Sequence, residues 1–210
     1  MVSKAVSSDD LEIPLISLSS FVSGDEATKY STAGAILSGF QNAGFIYLKD
    51  HPIARSTVQR TLEQSAAFFR RPHEQKEALN WTTPEANRGY SGPGREKVTN
   101  LTEREDIAKE RDEQGADLKE SYEIGRENDP QHSNNWPDRF DEDGRTFKAH
   151  MIEFFDQCKQ MHVLLMRAIA VGLGIDEFWF DSFCDGESWC AAARLPLLLS
   201  KRFFLRLGAA

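Results

Sequence analysis

Hydrophobic positions in the first seventy residues switch between the spacing of strands and that of helices. Residues 11–18 form a short apolar run, and Pro14 within it favours an edge strand because proline cannot donate to a sheet ladder. Apolar residues then recur at steps of three and four, which predicts a helix with one buried face. They are Tyr30, Ala33, Ile36, Leu37 and Phe40. Gly44 follows, where a glycine can end a helix in the left-handed conformation.

The same two patterns repeat before residue 73. Residues 45–48 are apolar enough to predict a buried strand. A second helical stripe comes next, and Pro72 ends it because the residue before a proline disfavours helix. The stripe consists of Val58, Leu62, Ser65, Ala66 and Phe69. The N-terminal third is therefore predicted as strand, helix, strand, helix.

The second half of the chain contains the longest helical pattern. Residues 84–126 mix Gly, Pro and charges of both signs, which predicts a loop with one short strand at residues 121–124. Apolar residues then keep helical spacing from a capping candidate at Asp143 to Gly172 and Gly174. The side chains expected to be buried are Phe147, Met151, Phe154, Phe155, Met161 and Leu165.

Length and composition favour a folded domain of 210 residues with 40% hydrophobic content. A net charge of -8 argues against a nucleic-acid partner, which would need clustered Lys and Arg. Three widely spaced Cys and a start without an apolar signal region favour a cytoplasmic protein, and no transmembrane segment is expected. Residues 1–10 are predicted to form a flexible N-terminal tail.

The charge balance changes abruptly near the end of the chain. Residues 1–187 contain 21 basic and 33 acidic side chains, or -12, whereas the four charged residues that follow are all basic. We therefore separate a module at residues 11–183 from an atypical basic, apolar tail at residues 184–210. The tail is predicted to lack strand partners, to be poorly packed and to promote self-association through its exposed apolar side chains.

Several short motifs occur in a characteristic order. They are Ile-Pro-Leu-Ile-Ser-Leu at 13–18, Gly-Phe-Ile-Tyr-Leu at 44–48 with His51, Arg-Gly-Tyr at 88–90, Asp-Leu-Lys-Glu at 117–120 and Gly-Leu-Gly at 172–174. In this order the chain resembles the N-terminal region of the 2-oxoglutarate/iron(II)-dependent dioxygenases of the isopenicillin N synthase-like family. The resemblance implies an α/β (α+β) N-terminal module of a double-stranded β-helix, or jelly-roll, oxygenase with an incomplete barrel. It also implies a small-molecule substrate.

The family also implies Fe(II) and 2-oxoglutarate as cofactors, held by a His-x-Asp, a later His and an Arg-x-Ser. Two His and one carboxylate leave three metal sites open for the cosubstrate and dioxygen. None of the five His here is followed by x-Asp, and no Arg-x-Ser occurs. We therefore assign no catalytic, metal or cofactor-binding residue, and predict that this chain alone is inactive.

Arg88 and Tyr90 are the candidate substrate-binding residues. In some members of the family, an Arg at this position holds a substrate carboxylate, which matches its planar fork of donors. The alternative is a surface Arg beside a Gly that permits a tight turn. His51 is predicted to have a structural hydrogen-bonding role. His150 and His162 lie on the long helix without a carboxylate at ligand spacing, so a metal role is not expected.

Three interpretations of the whole chain follow. The favoured one is a truncated dioxygenase, because the break falls inside a family motif. The second is a non-catalytic binding or regulatory module whose basic, apolar tail docks on a membrane or a partner. The third is an oxygenase whose metal site is completed by a second chain.

Overall fold

A computed structural model describes residues 3–8, 11–81, 83, 86–93, 119–184 and 197–200. The chain divides into two compact units. The first comprises Met1–Arg55 and Asp156–Arg194, and the second comprises Ser56–Phe155 and Leu195–Ala210. Both contain helices and strands, so the predicted mixed α/β class is confirmed. Most of the loop predicted at residues 84–126 lies outside the described residues.

The first unit is built on a three-stranded sheet. Its strands are β1 (Ser3–Ser8), β2 (Leu11–Ser17) and β3 (Tyr47–Lys49). β1 pairs with β2 in antiparallel register and β2 pairs with β3 in parallel register. The prediction of a flexible tail at residues 1–10 is therefore wrong for Ser3–Ser8, whose backbone groups pair with β2.

Pro14 lies in the central strand of this sheet, so the prediction of an edge strand is also wrong. The structure accommodates the missing N–H in two ways. The register with β1 shifts between Lys4 and Val6, next to the Lys4–Pro14 pair, and such bulges tolerate proline. On the other side, pairing with β3 begins only at Leu15. The sequence pattern located the strand correctly but did not specify its neighbours.

Helices α1 (Ser19–Ser23) and α2 (Glu26–Ala43) cover the sheet of the first unit. The Asp25 side chain accepts a hydrogen bond from the Thr28 N–H at 2.8 Å and so caps α2. Gly44 has a φ of 70° and ends α2, as predicted. Ala33 and Ile36 are fully buried, but Tyr30 and Phe40 of the predicted stripe are exposed.

The predicted buried strand at residues 45–48 is only partly correct. The observed strand is shorter, and Phe45 and Tyr47 are 68% and 50% exposed. Ile46 and Leu48 instead pack against the core of the first unit. Side chains alternate between the two faces of an extended chain. Where only one face is covered, either Phe45 and Tyr47 or Ile46 and Leu48 can be buried, but not both pairs.

In its described residues, the second unit contains an antiparallel sheet, three short helical segments and the first part of a long helix. The helical segments are α3 (Arg55–Phe69), α4 (His73–Glu77) and a 3₁₀ turn at Pro137–Arg139. The first residue of α3, Arg55, is the last residue of the preceding segment of the first unit. β4 (Gly89–Ser91) pairs with β5 (Ser121–Ile124), and β5 also pairs with β6 (Leu197–Ser200). The strand predicted at residues 121–124 is confirmed.

Strand β6 corrects the prediction that the tail has no strand partners. Residues 197–200 are an uninterrupted Leu-Leu-Leu-Ser run and pair with all four residues of β5. A two-stranded hairpin leaves one edge of β5 with unpaired backbone groups, and an apolar extended segment can satisfy them. The rest of the tail, residues 185–196 and 201–210, lies outside the described residues.

The long helix α5 (Glu142–Gly172) contributes its first half to the second unit and its second half to the first. Phe147 and Met151 are buried, Phe155 packs against the same cluster, and Phe154 is half-buried. Met161 and Leu165 pack against the core of the first unit. The helix and its apolar stripe are as predicted. The cap is Asp141 rather than Asp143, since the Asp141 Oδ1 accepts the Gly144 N–H at 2.7 Å.

After α5, Gly174 adopts a φ of 72° and the short helix α6 (Asp181–Cys184) follows. Within the described residues, no helix is both long and apolar enough to cross a membrane.

Candidate functional site

Of the two candidate residues, Tyr90 lies on strand β4 and Arg88 lies directly before it, and the backbone between them is fixed at Gly89. Gly89 has a φ of 117°, a conformation that other residues rarely adopt. A Cβ at this position would also collide with the Leu79 carbonyl. The Tyr90 N–H donates to that same carbonyl at 2.8 Å. Only glycine allows the strand to approach residue 79 this closely.

Arg88 is buried, and its guanidinium lies within the second unit. Its Nη1 donates to the carbonyl of Ala86 at 3.2 Å and to that of Asn87 at 3.1 Å. Its Nη2 lies 3.7 Å from the Asp129 carboxylate. The guanidinium also covers Gly125 so closely that a Cβ there would collide with it. Arg88 thus joins β4 to the segment that follows β5.

That segment, residues 125–135, is held by side chains that satisfy backbone groups. The Asn134 amide accepts from the Gly125 N–H at 2.8 Å and donates to the Gly125 carbonyl at 2.9 Å. Asn135 donates to the carbonyls of Asn80 and Arg88. Buried backbone groups need such partners, so these bonds define the path of the segment.

The Asp129 carboxylate remains charged within this segment. Burial alone would raise its pKa, but the backbone N–H groups of Gln131 and His132, together with the charge of Arg88, hold the pKa below its usual value. The N–H groups donate to Asp129 Oδ1 at 2.9 and 3.1 Å. Asp129 therefore offers Arg88 a fixed negative charge.

Tyr90 is fully buried and lies among charged groups. Burial raises the pKa of its phenol to about 12, and the nearby carboxylates of Glu120 and Glu77 contribute. The Lys76 ammonium lies 5.3 Å from the centre of the Tyr90 ring and forms an ion pair with Glu120 at 2.8 Å. Tyr90 is consequently a neutral phenol at physiological pH, able to donate or accept a hydrogen bond.

The hairpin also has a buried polar face that the sequence interpretation missed. Tyr90 pairs with Tyr122, and both rings belong to the apolar core of the second unit. The alternating side chains Ser91, Ser121 and Glu123 share the opposite face, and all three are buried. The alternating Ser-x-Glu pattern at residues 121–123 could have predicted this polar face from the sequence.

The aromatic core beneath Tyr122 supports the hairpin. The Phe68 ring centre lies 4.3 Å from that of Tyr122 and 5.2 Å from that of Phe147. These separations are typical of favourable aromatic pairs. The Tyr122 hydroxyl donates to the Asn135 carbonyl, so the core and residues 125–135 are connected.

The histidines occupy varied environments. His73 is exposed at the start of α4, and the His51 Nδ1 is buried without a hydrogen-bond partner among the described residues. The predicted structural hydrogen bond of His51 is therefore not formed at that atom. His150 is buried, and its Nε2 lies 2.9 Å from the Thr61 hydroxyl. Burial lowers the pKa of His150 and of His162.

The residues described here do not form an iron site. In the described ranges, no group of three or more His, Cys, Asp or Glu side chains is arranged to hold a metal ion. The His150 Nε2 lies 2.9 Å from the Thr61 hydroxyl, and the buried Nδ1 has no hydrogen-bond partner among the described residues. The donor set that Fe(II) requires is thus not assembled in this part of the chain.

Comparison with known proteins identifies the family. The family described as "non-haem dioxygenase in morphine synthesis N-terminal" matches residues 13–139, more than half of the chain. A 2-oxoglutarate-dependent dioxygenase from Dothideomycetidae sp. is 31% identical over 180 residues, which cover 83% of this chain and 51% of that protein. A proline hydroxylase from Petromyces alliaceus is 26% identical, with coverages of 85% and 53%.

Solved structures agree with this result. A Neurospora crassa protein, crystallised with alpha-KG (2-oxoglutarate) and thymine, is 56% identical with a TM-score of 0.75, covering 86% of this chain and 54% of that one. A 2OG-Fe(II) oxygenase family protein from Caulobacter crescentus shares the fold at 22% identity and a TM-score of 0.61, with coverages of 85% and 52%.

The chain belongs to the 2-oxoglutarate- and Fe(II)-dependent dioxygenase family and matches its N-terminal region. It spans about half the length of the curated relatives it matches. The structure places Tyr90 on strand β4 and Arg88 directly before that strand, with the Arg88 guanidinium beside Gly125 and Asp129. Their role in substrate binding stays a prediction.

Proposed function

We propose that this chain is the N-terminal part of a 2-oxoglutarate/Fe(II)-dependent oxygenase that acts on a small organic molecule. The observation that carries the proposal is 50–56% identity, over 86–87% of the chain, to a protein solved with alpha-KG. In this proposal the jelly-roll barrel is incomplete within the 210 residues. The iron ligands and the cosubstrate Arg then come from the catalytic half, which completes the length of the relatives.

The substrate class we propose is a pyrimidine base. The Neurospora crassa protein was crystallised with thymine and with 5-formyluracil. Such rings present N–H donors and carbonyl acceptors at their edges, so neutral side chains that both donate and accept are suited to them. Tyr90, the candidate substrate-binding residue that is a neutral phenol, is of this kind.

Arg88 serves this site as a positioning residue in our proposal. Its guanidinium is occupied by Asp129 and by two backbone carbonyls. It therefore acts on substrate binding through the path of residues 125–135. The alternative, a non-catalytic module that docks through its tail, gains no support from β6, since residues 197–200 are engaged with β5.

A chimeric protein tests the proposal. Residues 1–183 of this chain would replace the matching part of the Neurospora crassa protein, which restores a full-length enzyme. We expect the purified chimera with Fe(II) to convert 2-oxoglutarate to succinate. Thymine should increase the rate about tenfold or more, since binding of the correct substrate helps to assemble a catalytic site. Succinate is measured with and without thymine, and the 210-residue chain alone is the control.

Two outcomes would contradict parts of the proposal. A folded chimera that consumes no 2-oxoglutarate would overturn the oxygenase assignment. Turnover that ignores thymine but responds to another small molecule would overturn the pyrimidine assignment alone. Succinate production by the 210-residue chain would show that it assembles an iron site by itself.

A further inference from the structure

Strand β4 directs its two side chains to opposite faces of the hairpin. Tyr90 belongs to the aromatic core of the second unit, together with Tyr122 on β5 and Phe68 on α3. Ser91 follows Tyr90 in the strand, so its side chain lies on the other face, where it is paired in register with Ser121. The aromatic side chains of the helices therefore pack against the Tyr90 face of the hairpin.

The Ser91 face of the hairpin is polar although it is shielded from water. Ser91, Ser121 and Glu123 are 2%, 1% and 5% exposed. The buried face of a sheet is ordinarily apolar, because a buried polar group loses its hydrogen bonds to water and needs other partners. A few polar groups on a surface closed to solvent are typical of small-molecule sites.

The Ser91 hydroxyl has unused hydrogen-bonding capacity. Its Oγ is buried and has no hydrogen-bond partner in the part of the chain that the structure describes. A hydroxyl in this position lowers the stability of the free protein, because it has given up water without gaining another partner. An alanine at residue 91 would avoid that cost. The serine is explained if its hydroxyl meets a polar atom of a bound molecule.

We propose that Ser91 determines substrate specificity by donating a hydrogen bond to a ring carbonyl of the pyrimidine. This inference rests on the proposed function and names one contact of that site. The hydroxyl is a neutral donor, and the carbonyl oxygens are the acceptors that such a ring presents. A site built around this bond rejects a ligand without the matching acceptor, since the buried hydroxyl would be left unpaired.

The stability of the 210-residue chain tests whether the Ser91 hydroxyl has a structural role. Ser91→Ala should raise the melting temperature by about 2 °C, because it removes a buried polar group without a partner. Thr61→Val is the matched control. The Thr61 hydroxyl is also buried, but it donates to the Thr57 carbonyl at 2.9 Å and lies 2.9 Å from the His150 Nε2. Its removal should lower the melting temperature by about 2 °C or more.

Thymine binding to the full-length chimera tests the contact itself. The titration is calorimetric, with 2-oxoglutarate present and oxygen excluded so that no turnover occurs. Ser91→Ala should weaken thymine binding about tenfold, because the ring carbonyl then loses its donor, whereas Thr61→Val should leave the affinity within about twofold.

Thymine analogues with one carbonyl oxygen replaced by sulfur give a readout that a structural role would not change. Sulfur is a weak acceptor, so the 2-thio or the 4-thio analogue should bind the wild-type chimera less tightly than thymine. Ser91→Ala should abolish that difference, because the residue and the carbonyl oxygen contribute to the same hydrogen bond.

The outcomes separate this inference from the proposed function. Unchanged thymine affinity in Ser91→Ala would overturn the inference alone, and weakening by Tyr90→Phe instead would assign the contact to the opposite face of the hairpin. A fall in melting temperature as large as that of Thr61→Val would show a structural hydroxyl and also overturn it. A wild-type chimera that binds no thymine would contradict the proposed pyrimidine class, and the Ser91 contact with it.

Discussion

The backbone conformation at Gly89 is possible because glycine has no Cβ. The positive φ and the close approach to the Leu79 carbonyl both exclude a Cβ. We expect Gly89→Ala to lower the free energy of unfolding by about 2 kcal/mol or more, from backbone strain and the displaced carbonyl. Urea denaturation measures this change.

Gly34 is the control for that substitution. It lies in α2 with open space around the position of a Cβ and without a positive φ. Gly34→Ala should therefore stabilise the protein by roughly 0.5–1 kcal/mol, since alanine favours helix. Equal losses at both positions would show that Gly89 has no special backbone role.

His150 should make stability depend on pH. Its pKa is lowered by burial first and by the charge of Arg60 next, while Glu153 raises it. A base with a depressed folded pKa stabilises the protein above its unfolded pKa, and this stability is lost as pH falls below about 6.5. His162 shifts in the same direction, so it contributes to the same slope.

Unfolding by urea at pH 8.0, 6.5 and 5.5 tests this expectation. The free energy of unfolding should decrease between pH 6.5 and 5.5, and His150→Gln should reduce the decrease. The glutamine keeps a polar group that can reach Thr61. An unchanged slope in the variant would mean that His150 does not titrate between the two states in this range.

At the scale of elements, the sequence predicted helices better than strands. The boundaries of α2 and α5 follow from spacing together with Gly44 and Gly174, whose conformations are local. The sheet positions of Pro14 and Tyr47 depend instead on which strands lie alongside, and a run of four to eight residues does not contain that information. The N-terminal strand β1 was missed for the same reason.

The start of α5 is held by an ion pair whose contribution can be isolated. Arg71 donates two hydrogen bonds to Asp141, at 2.8 and 2.7 Å, while Asp141 also caps α5 through the Gly144 N–H. The hydrogen bond from Arg71 makes the largest contribution to lowering the pKa of Asp141 to about 2. Stability from this carboxylate is therefore complete above about pH 4 and is lost as pH falls towards 2.

Asp141→Ala should lower the melting temperature at pH 7 because it removes the ion pair and the cap together. The loss should shrink near pH 2, where the wild-type carboxylate is also becoming protonated. Glu142→Ala is the control, since Glu142 lies next in the chain but its pair with Arg145 is exposed on both sides. A similar loss for both variants would contradict a specific role for Asp141.

At the scale of the whole molecule, the family was predictable from the order of short motifs, and the comparisons confirm it. The contacts of the candidate residue Arg88 were not predictable in this way. Arg88 could be identified as a candidate from the residues beside it, but Gly125 and Asp129, which its guanidinium also contacts, lie roughly forty positions further along the chain. Contacts of that sequence separation follow from the packing of β4 and β5 rather than from local pattern. The pairing of β6 with β5 was missed for the same reason.

The last prediction concerns Arg88 in the full-length chimera. Because its guanidinium is joined to Asp129 and covers Gly125, Arg88→Ala should loosen residues 125–135 without touching any iron ligand. We expect thymine binding to weaken by about tenfold, an effect typical of one lost charged hydrogen-bonding partner, while Fe(II) affinity changes little. Calorimetric titration of each ligand separates the two affinities.

Asp129→Asn distinguishes positioning from direct contact. If Arg88 acts by holding residues 125–135, this variant should weaken thymine binding in the same direction as Arg88→Ala, and the double variant should add little, since both remove one interaction. If Arg88 instead reaches the substrate itself, Asp129→Asn should leave binding nearly intact because Arg88 is still present. Equal weakening of Fe(II) and thymine by Arg88→Ala would indicate general disruption of the fold and contradict both roles.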